Sequence, residues 1–275
     1  MSIQLNNSPL GKEVKYHADK PDKDILVAIP RNLKRQEMKI PTPLPFKGVD
    51  IWNAYEVSWL RPSGRPDVAI ATFYVPADSP NLIESKSFKL YLNSFNQYKI
   101  STNDLLTTLH NDLSECAGKE IRIDLCHPSQ FYEQKFKAID AQQLDDLDPA
   151  ESYVYQPDAK LLKILDQHPK QESWQSCLLK SNCLITGQPD WADILIRYEG
   201  PQICPEGLLK YIISFRTQNE FHEPCVERIF QDIMNQCRPD KLTVYARYTR
   251  RGGLDISPFR SNYESLESFQ RTPRQ

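Results

Sequence analysis

An α+β fold of two similar halves is the class this sequence predicts, each half a four-stranded antiparallel sheet with two helices on one face. Three observations predict it. The chain repeats itself at an offset of about 120 to 123 residues: Trp52-Asn-Ala-Tyr-Glu-Val-Ser-Trp-Leu matches Trp174-Gln-Ser-Cys-Leu-Leu-Lys-Ser-Asn, and Gly64-Arg-Pro-Asp matches Gly187-Gln-Pro-Asp. Lys89-Leu-Tyr-Leu-Asn-Ser-Phe95 matches Leu209-Lys-Tyr-Ile-Ile-Ser-Phe215. After each Ser-Phe the apolar residues fall at helical spacing, Leu105, Leu106, Leu109 and Leu113 in one half and Val226, Ile229, Phe230 and Ile233 in the other. Each half then closes on alternating residues, Ile121–Leu125 and Leu242–Ala246, which read as strands. The order strand, strand, helix, helix, strand, strand places two helices on one face of an antiparallel sheet.

The elements follow in order. Residues 1–45 are proline-rich and read as an irregular arm on the surface. Residues 46–140 form the first unit, whose leading strands are joined at Gly64-Arg-Pro-Asp as a hairpin. Glu84 and Ser85 open its first helix, where free N–H groups favour an acid and a hydroxyl. Residues 141–170 are polar and acidic (Asp140-Ala-Gln-Gln-Leu-Asp-Asp-Leu-Asp148 at their start) and read as a linker. Residues 171–275 form the second unit, with its hairpin at Gly187-Gln-Pro-Asp. Phe95 and Phe215 read as core residues at helix ends.

Composition excludes several classes. The 275 residues carry a net charge of −2, with 25% charged and 40% hydrophobic, as expected of a soluble globular chain. Lys and Arg form no block, so direct nucleic-acid binding has no support. No apolar run approaches the roughly 18 residues of a membrane helix, and the start, Met-Ser-Ile-Gln-Leu-Asn-Asn, lacks the pattern of a signal peptide. A cytoplasmic location is expected. Seven cysteines, an odd number, read as mostly reduced thiols.

One stretch carries chemistry. Cys183 precedes Asp190 by seven residues across a Thr-Gly-Gln-Pro turn that can bring both to one side. A thiolate is a strong nucleophile, and a neighbouring carboxyl can give or take its proton. Three further polar clusters each have a plain reading and a functional one. Glu84-Ser85-Lys86 and His222-Glu223 stand at helix starts, where capping alone would account for them. Arg250-Arg-Gly-Gly253 is either a hairpin turn or a loop that lets backbone and guanidinium approach a phosphate. The repeat adds that Cys183 has Leu60 as its counterpart, and Glu84-Ser85-Lys86 has Cys204-Pro205-Glu206. The halves kept complementary parts, which favours one composite site.

Taken together, ESKSFKLYLNSF at 84–95, CLITGQPDWA at 183–192, FHEPC at 221–225 and RRGG at 250–253 resemble the NADPH-dependent 7-cyano-7-deazaguanine reductases, the nitrile reductases of queuosine biosynthesis, in their longer two-module form. The resemblance covers the chain from about residue 45 onward. It implies two tandem tunnelling-fold units and chains that pair, at least as a homodimer. It implies that Cys183 forms a thioimide with the nitrile and that Asp190 is its proton donor. Two molecules of NADPH would serve each turnover, with no metal and no flavin. The deazaguanine would meet Ile83, Glu84, Ser85, His222 and Glu223, and NADPH would meet Ser85, Lys86, Arg251 and Gly252. No Gly-x-Gly-x-x-Gly run follows a strand, so a Rossmann site is not supported. The same superfamily holds zinc-dependent cyclohydrolases, and the alternative is such a hydrolase with Cys183, His222 and Cys225 as ligands. Cys225 has two open readings, a redox partner for Cys183 or a buried helix residue.

Overall fold

The computed structural model describes residues 18–133, 135–136, 138–149, 152–266 and 269–275. The fold is mixed α+β and divides into two compact units. The first comprises described residues within Met1–Lys39, Asp50–Gln134 and Arg250–Asp255; the second takes those within Ile40–Val49, Lys135–Thr249 and Ile256–Gln275. A contiguous split into 46–140 and 171–275 was expected. The units instead interleave, because two strands, near residues 50 and 255, each run from one unit into the other. Among the described residues no helix is long and apolar enough to cross a membrane.

In chain order the elements are β1 (Ala28–Pro30), α1 (Arg31–Glu37), β2 (Lys47–Leu60), β3 (Pro66–Pro76), β4 (Asn81–Ile83), α2 (Ser85–Asn93), α3 (Thr102–Ala117) and β5 (Arg122–Cys126). There follow β6 (Gln142–Gln143), β7 (Ile164–Asn182), β8 (Pro189–Ile203), α4 (Pro205–Ser214), α5 (His222–Cys237), β9 (Lys241–Tyr248) and β10 (Leu254–Ser261). In the first unit β3 stands between β2 and β5, and β1 pairs with β4 in a separate ribbon. In the second unit the order is β10-β9-β8-β7-β6.

The residues explain these elements. Along β3 every second side chain, Asp67, Ala69, Ala71, Phe73 and Val75, is buried, the alternation of a half-buried strand. α3 begins where the Ser101 hydroxyl accepts from Asp104 N–H and ends at Gly118 in the left-handed region. Its buried stripe is Leu105, Leu109, Leu113 and Ala117, while Leu106 is only half-buried. In α5 the four apolar residues of the repeat, Val226, Ile229, Phe230 and Ile233, are all fully buried.

The duplication extends to side-chain contacts. Tyr91 packs edge-on to Phe95 at 5.4 Å and donates to Asp112, and Tyr211 packs edge-on to Phe215 at 5.3 Å and donates to Asp232. The Ser94 hydroxyl donates to the Tyr91 carbonyl as Ser214 does to Tyr211. Phe95 and Phe215 are therefore core residues, as expected.

Three expectations are corrected. The second half forms its four strands, β7 to β10, but among the described residues the first half has no second closing strand. After β5 come a short 3-10 turn, Pro128–Glu133, and the two-residue β6, which runs parallel to β7. That segment is rich in Asp and Gln, with little β-branched alternation to sustain a strand. The expected linker ends early, since β7 starts at Ile164 and its exposed first turn-length still ladders with Pro201–Ile203. The arm is not irregular throughout. Residues 1–17 lie outside the described residues, but β1 and α1 follow, and the Arg31 guanidinium bonds Asp50 at 2.6 Å with both side chains buried.

Removing one partner of a buried ion pair leaves the other desolvated and uncompensated, a cost of about 3–5 kcal/mol. Arg31→Met should therefore lower the unfolding free energy of the first unit by an amount in that range. Urea unfolding followed by tryptophan fluorescence measures it. A change under about 1 kcal/mol would mean that the pair only covers its own desolvation.

Candidate active site

The β7–β8 hairpin builds the site around its loop. The ladder ends at Ser181↔Asp190 and Asn182↔Pro189, leaving Cys183–Gln188 as the connection. Cys183 N–H donates to the Gln188 carbonyl at 2.8 Å, and Gly187 N–H donates back to the Cys183 carbonyl at 3.0 Å. Gly187 has φ +65°, a conformation that costs a residue with a Cβ more than it costs glycine. The second bond closes one helical turn with Cys183 at its head. The N–H groups of Ile185 and Thr186 and the Thr186 hydroxyl lie in this turn and favour the anionic form of Sγ.

These donors set the state of the thiol. Half-burial works against the anion, but the Thr186 hydroxyl and the two N–H groups outweigh it, and the Cys183 pKa lies below that of an ordinary thiol despite the opposing charge of Asp190. Asp190 itself is buried at 3% exposure. His222, the first residue of α5, brings Nε2 to 3.9 Å from Asp190 Oδ1. Its ring stands edge-on to Tyr248, centroids 3.9 Å apart. Tyr248 is fully buried, and its hydroxyl faces the Cys225 thiol and the Ser181 hydroxyl. Glu223 follows His222 in the first turn of α5 and is 3% exposed. Cys183, Asp190 and His222 thus form one group in the second unit, with Glu223 beside them in sequence.

A second group lies in the first unit. Glu84 caps α2, one carboxylate oxygen accepting from Lys86 N–H at 2.7 Å and the other from Ser87 N–H at 2.8 Å. Burial pushes its pKa up while these N–H groups pull it down, and the net direction is up. The capping reading is realised for Glu84, yet a carboxylate has roughly four acceptor positions and the caps take two. Ile83 is buried at the end of β4, and Ser85 and Lys86 are half-buried in the first turn of α2. Arg251 and Gly252 belong to the β9–β10 hairpin. Arg251 and Leu254 exchange backbone bonds, and Gly252 and Gly253 at φ +57° and +78° form the two-residue turn between them.

Sequence reasoning missed what this turn touches. A Cβ on Gly252 would lie 2.2 Å from Lys89 Nζ, and one on Gly253 would lie 2.4 Å from the Glu56 carboxyl carbon. The Arg250 guanidinium lies over the Tyr55 ring at 3.9 Å. The hairpin tip and α2 thus gather Lys89 beside Gly252 in the unit that holds Lys86. A helical spacing of three from Lys86 to Lys89 was the available signal. Thr186 and Tyr248 were missed too, the first read only as part of a turn.

Among the described residues no three His, Cys, Asp or Glu side chains converge as a metal site would need. Cys225 is fully buried with its thiol pushed up to about 12 by burial and then by Glu220, the condition of an unreactive helix residue.

Comparison with known proteins finds relatives over nearly the whole chain. A family described as the N-terminal part of the nitrile reductase, 7-cyano-7-deazaguanine reductase, matches residues 16–125, and a QueF-like protein family matches residues 189–267. A relative from Cupriavidus metallidurans, an NADPH-dependent 7-cyano-7-deazaguanine reductase, is 56% identical over 263 residues, 94% of each chain. One of the same name from Burkholderia multivorans is 52% identical over 272 residues, 98% of each chain. Among solved structures, the apo archaeosine synthase QueF-Like covers 35% of this chain and 94% of its own at 15% identity and a TM-score of 0.31, too partial a likeness to speak for the fold.

The pKa directions sort the thiols. Cys183 is lowered, whereas burial raises Cys116 and Cys237 to about 11 and Cys225 to about 12. Only the thiolate alkylates, so limiting iodoacetamide at neutral pH should modify Cys183 at least tenfold faster than those three. Peptide mapping by mass spectrometry reads the order. Labelling of Cys183 at the rate of Cys225 would refute the activated thiol.

Proposed function

The chain belongs to the NADPH-dependent 7-cyano-7-deazaguanine reductases, and from that membership we infer how its residues divide the work. It is an NADPH-dependent oxidoreductase that acts on a nitrile in queuosine biosynthesis. The observation that carries the reading of its chemistry is a thiol held toward its anion beside a buried carboxyl, Cys183 and Asp190.

Cys183 attacks the nitrile carbon. A bond forms from Sγ to carbon, one carbon–nitrogen π bond breaks, and the nitrogen takes a proton from Asp190. The product is a thioimide on Cys183. Asp190 first takes the thiol proton of Cys183, so the same carboxyl holds the proton that the nitrogen receives. His222 at 3.9 Å is placed to exchange that proton and to restore Asp190 for the next step. NADPH, two molecules per turnover, supplies the hydrides that take the carbon to the primary amine. Cys183 leaves once carbon is reduced, and water must stay out while the imine waits, because an imine hydrolyses.

Recognition falls to carboxylates. The base edge of a deazaguanine carries an amide N–H and an exocyclic amino group side by side, and one carboxylate accepts both. Glu84 and Glu223 take this role, with Ile83, Ser85 and His222 as further substrate contacts. NADPH is held by Ser85, Lys86, Arg251 and Gly252. The donor set fits a phosphate-bearing dinucleotide: two cations, a hydroxyl, and a glycine on which a Cβ would fill the space beside Lys89. The working form is a homodimer in the cytoplasm.

Loss of NADPH absorbance on adding the nitrile base tests the function directly, with two NADPH consumed per nitrile. Cys183→Ala should abolish that loss and still bind the base by calorimetry. A Cys183→Ala variant with full activity would rule out covalent capture.

Asp190→Asn should slow reduction by about 10²- to 10⁴-fold, the usual contribution of a general acid. The same change removes a charge that raises the Cys183 pKa, so alkylation of Cys183 should be no slower than in the parent. Reduction slowed by less than about threefold would take Asp190 out of the chemistry.

A further inference from the structure

The head of the nucleophile loop and the start of α5 share one short segment of chain. Asn182, the residue before Cys183, donates its N–H to the Gln218 carbonyl at 2.8 Å, and Glu220 N–H donates to the Asn182 carbonyl at 3.1 Å. Residues 218–220 thus run parallel beside Asn182 and lead through Phe221 into His222 and Glu223. The first half repeats these backbone bonds: Leu60 N–H donates to the Tyr98 carbonyl at 2.9 Å, and Ile100 N–H to the Leu60 carbonyl at 2.8 Å. What differs is the side chains. Glu220, its side chain 1% exposed, stands at the position of Ile100, and Arg228 at that of Thr108. Arg228 Nε and Nη2 donate to different oxygens of Glu220, at 3.2 and 3.1 Å, the two-pronged grip of a guanidinium on a carboxylate.

We infer that Glu220 is a positioning residue of the active site, clamped by Arg228 so that the Cys183 loop and the start of α5 keep one fixed spacing. The inference rests on the reading of Cys183, His222 and Glu223 as site residues. The frame itself does not need the ion pair, since the first half forms the same bridge and the same helix with an isoleucine and a threonine. A buried carboxylate is also a costly way to hold a fold, because its desolvation offsets much of what the pairing gains. The pair stands where the two helix starts differ. The Ser101 hydroxyl secures the start of α3, whereas no side chain caps α5 at Phe221. Glu220 and Arg228 span that uncapped start, from the residue before the N-cap to the seventh residue of α5. They do with charge what a hydrophobic staple does with apolar contact, fixing the angle at which the chain enters the helix. His222 and Glu223 project from that entry, so a change of angle moves both. The 3.9 Å approach of His222 to Asp190 spans the same joint, and a shift between the two elements would open it.

Steady-state kinetics of the double variant Glu220→Ile/Arg228→Thr test the role, because it copies the residue pair of the first half. Removing both partners strands no charge, and Asp232 keeps its Tyr211 donor as Asp112 keeps Tyr91. The melting temperature should stay close to the parent's. kcat should fall about 10- to 100-fold, as ångström-scale misplacement does, and the KM of the nitrile should rise. The KM of NADPH should stay within about twofold, because its proposed contacts, Ser85, Lys86, Arg251 and Gly252, belong to the first unit. Glu220→Gln, which keeps the side-chain shape and one acceptor for Arg228, serves where the double variant does not fold. It should show the same split, with kcat/KM for the nitrile down by about threefold or more. Parent-like kcat and nitrile KM in the folded variant overturn the proposal. So does an equal loss toward NADPH, the sign of a general disturbance rather than of a misplaced site. Reduction of the nitrile by Cys183→Ala would remove the reading beneath the proposal, and that outcome is scored independently of the Glu220 variants.

Discussion

The chemistry proposed for Cys183 asks for a sulfur anion half out of water beside a buried carboxyl, and such an anion needs donors fixed in place before the reaction. The six-residue loop Cys183–Gln188 is that fixture, and the second unit is arranged to hold it. The ladder β7–β8 pins both ends through Ser181↔Asp190 and Asn182↔Pro189. A slip of one residue would turn Asp190 to the other face of the sheet. The next ladder, β8–β9, sets Tyr248 opposite Ala192, and Tyr248 in turn supports the edge of the His222 ring. Sheet register thus places the acid and the aromatic support, while α5 contributes only its first residues.

The duplicated half shows the same frame without the chemistry. The counterpart of Asp190 is Asp67, in the matching Gly-x-Pro-Asp turn. There the loop is one residue shorter, Arg61–Arg65, closed by Arg61 N–H to the Arg65 carbonyl and by Gly64 N–H to the Arg61 carbonyl. Arg61 Nε bonds Asp67 at 2.7 Å and holds its carboxyl below the usual range. A carboxylate clamped by arginine cannot donate a proton near neutrality. Asp190 has instead the loop thiol and a histidine for neighbours. One inserted residue and the absence of that arginine separate the two turns.

Much of this was legible in the sequence for a physical reason. Periodicity and turn chemistry are local, and they marked both hairpins, all four long helices and the pairing of Cys183 with Asp190. The tyrosine and phenylalanine contacts repeated because the helices that carry them repeated. What stayed hidden depends on contacts made at a distance along the chain. Lys89 and Glu56 carry no local mark of their neighbours, and only the fold lays Gly252 and Gly253 beside them. The missing strand of the first half was misjudged because duplication suggested one, whereas the residues after Cys126 carry no strand pattern of their own. Thr186 hid inside a turn motif, where a threonine is expected for conformational reasons alone.

The helix starts show where polarity was diverted from capping. α3 and α5 begin at positions matched by the repeat, Ser101 and Phe221. Ser101 caps its helix with a hydroxyl; Phe221 has no acceptor to offer, and His222 and Glu223 follow it. α2 and α4 show the same exchange: Glu84 caps α2 through both oxygens, whereas α4 starts from Cys204 with Pro205 needing no N–H partner. An uncapped start costs about 1 kcal/mol. α5 tolerates that cost because its apolar stripe is completely buried. Half-buried His222 and buried Glu223 stand in the first turn of α5, where the helix end favours negative charge. The helix starts are thus unequal in this duplicated frame: the first half caps both of its helices with side chains and the second caps neither, and at the start of α5 stand His222 and Glu223, the residues proposed for the substrate edge.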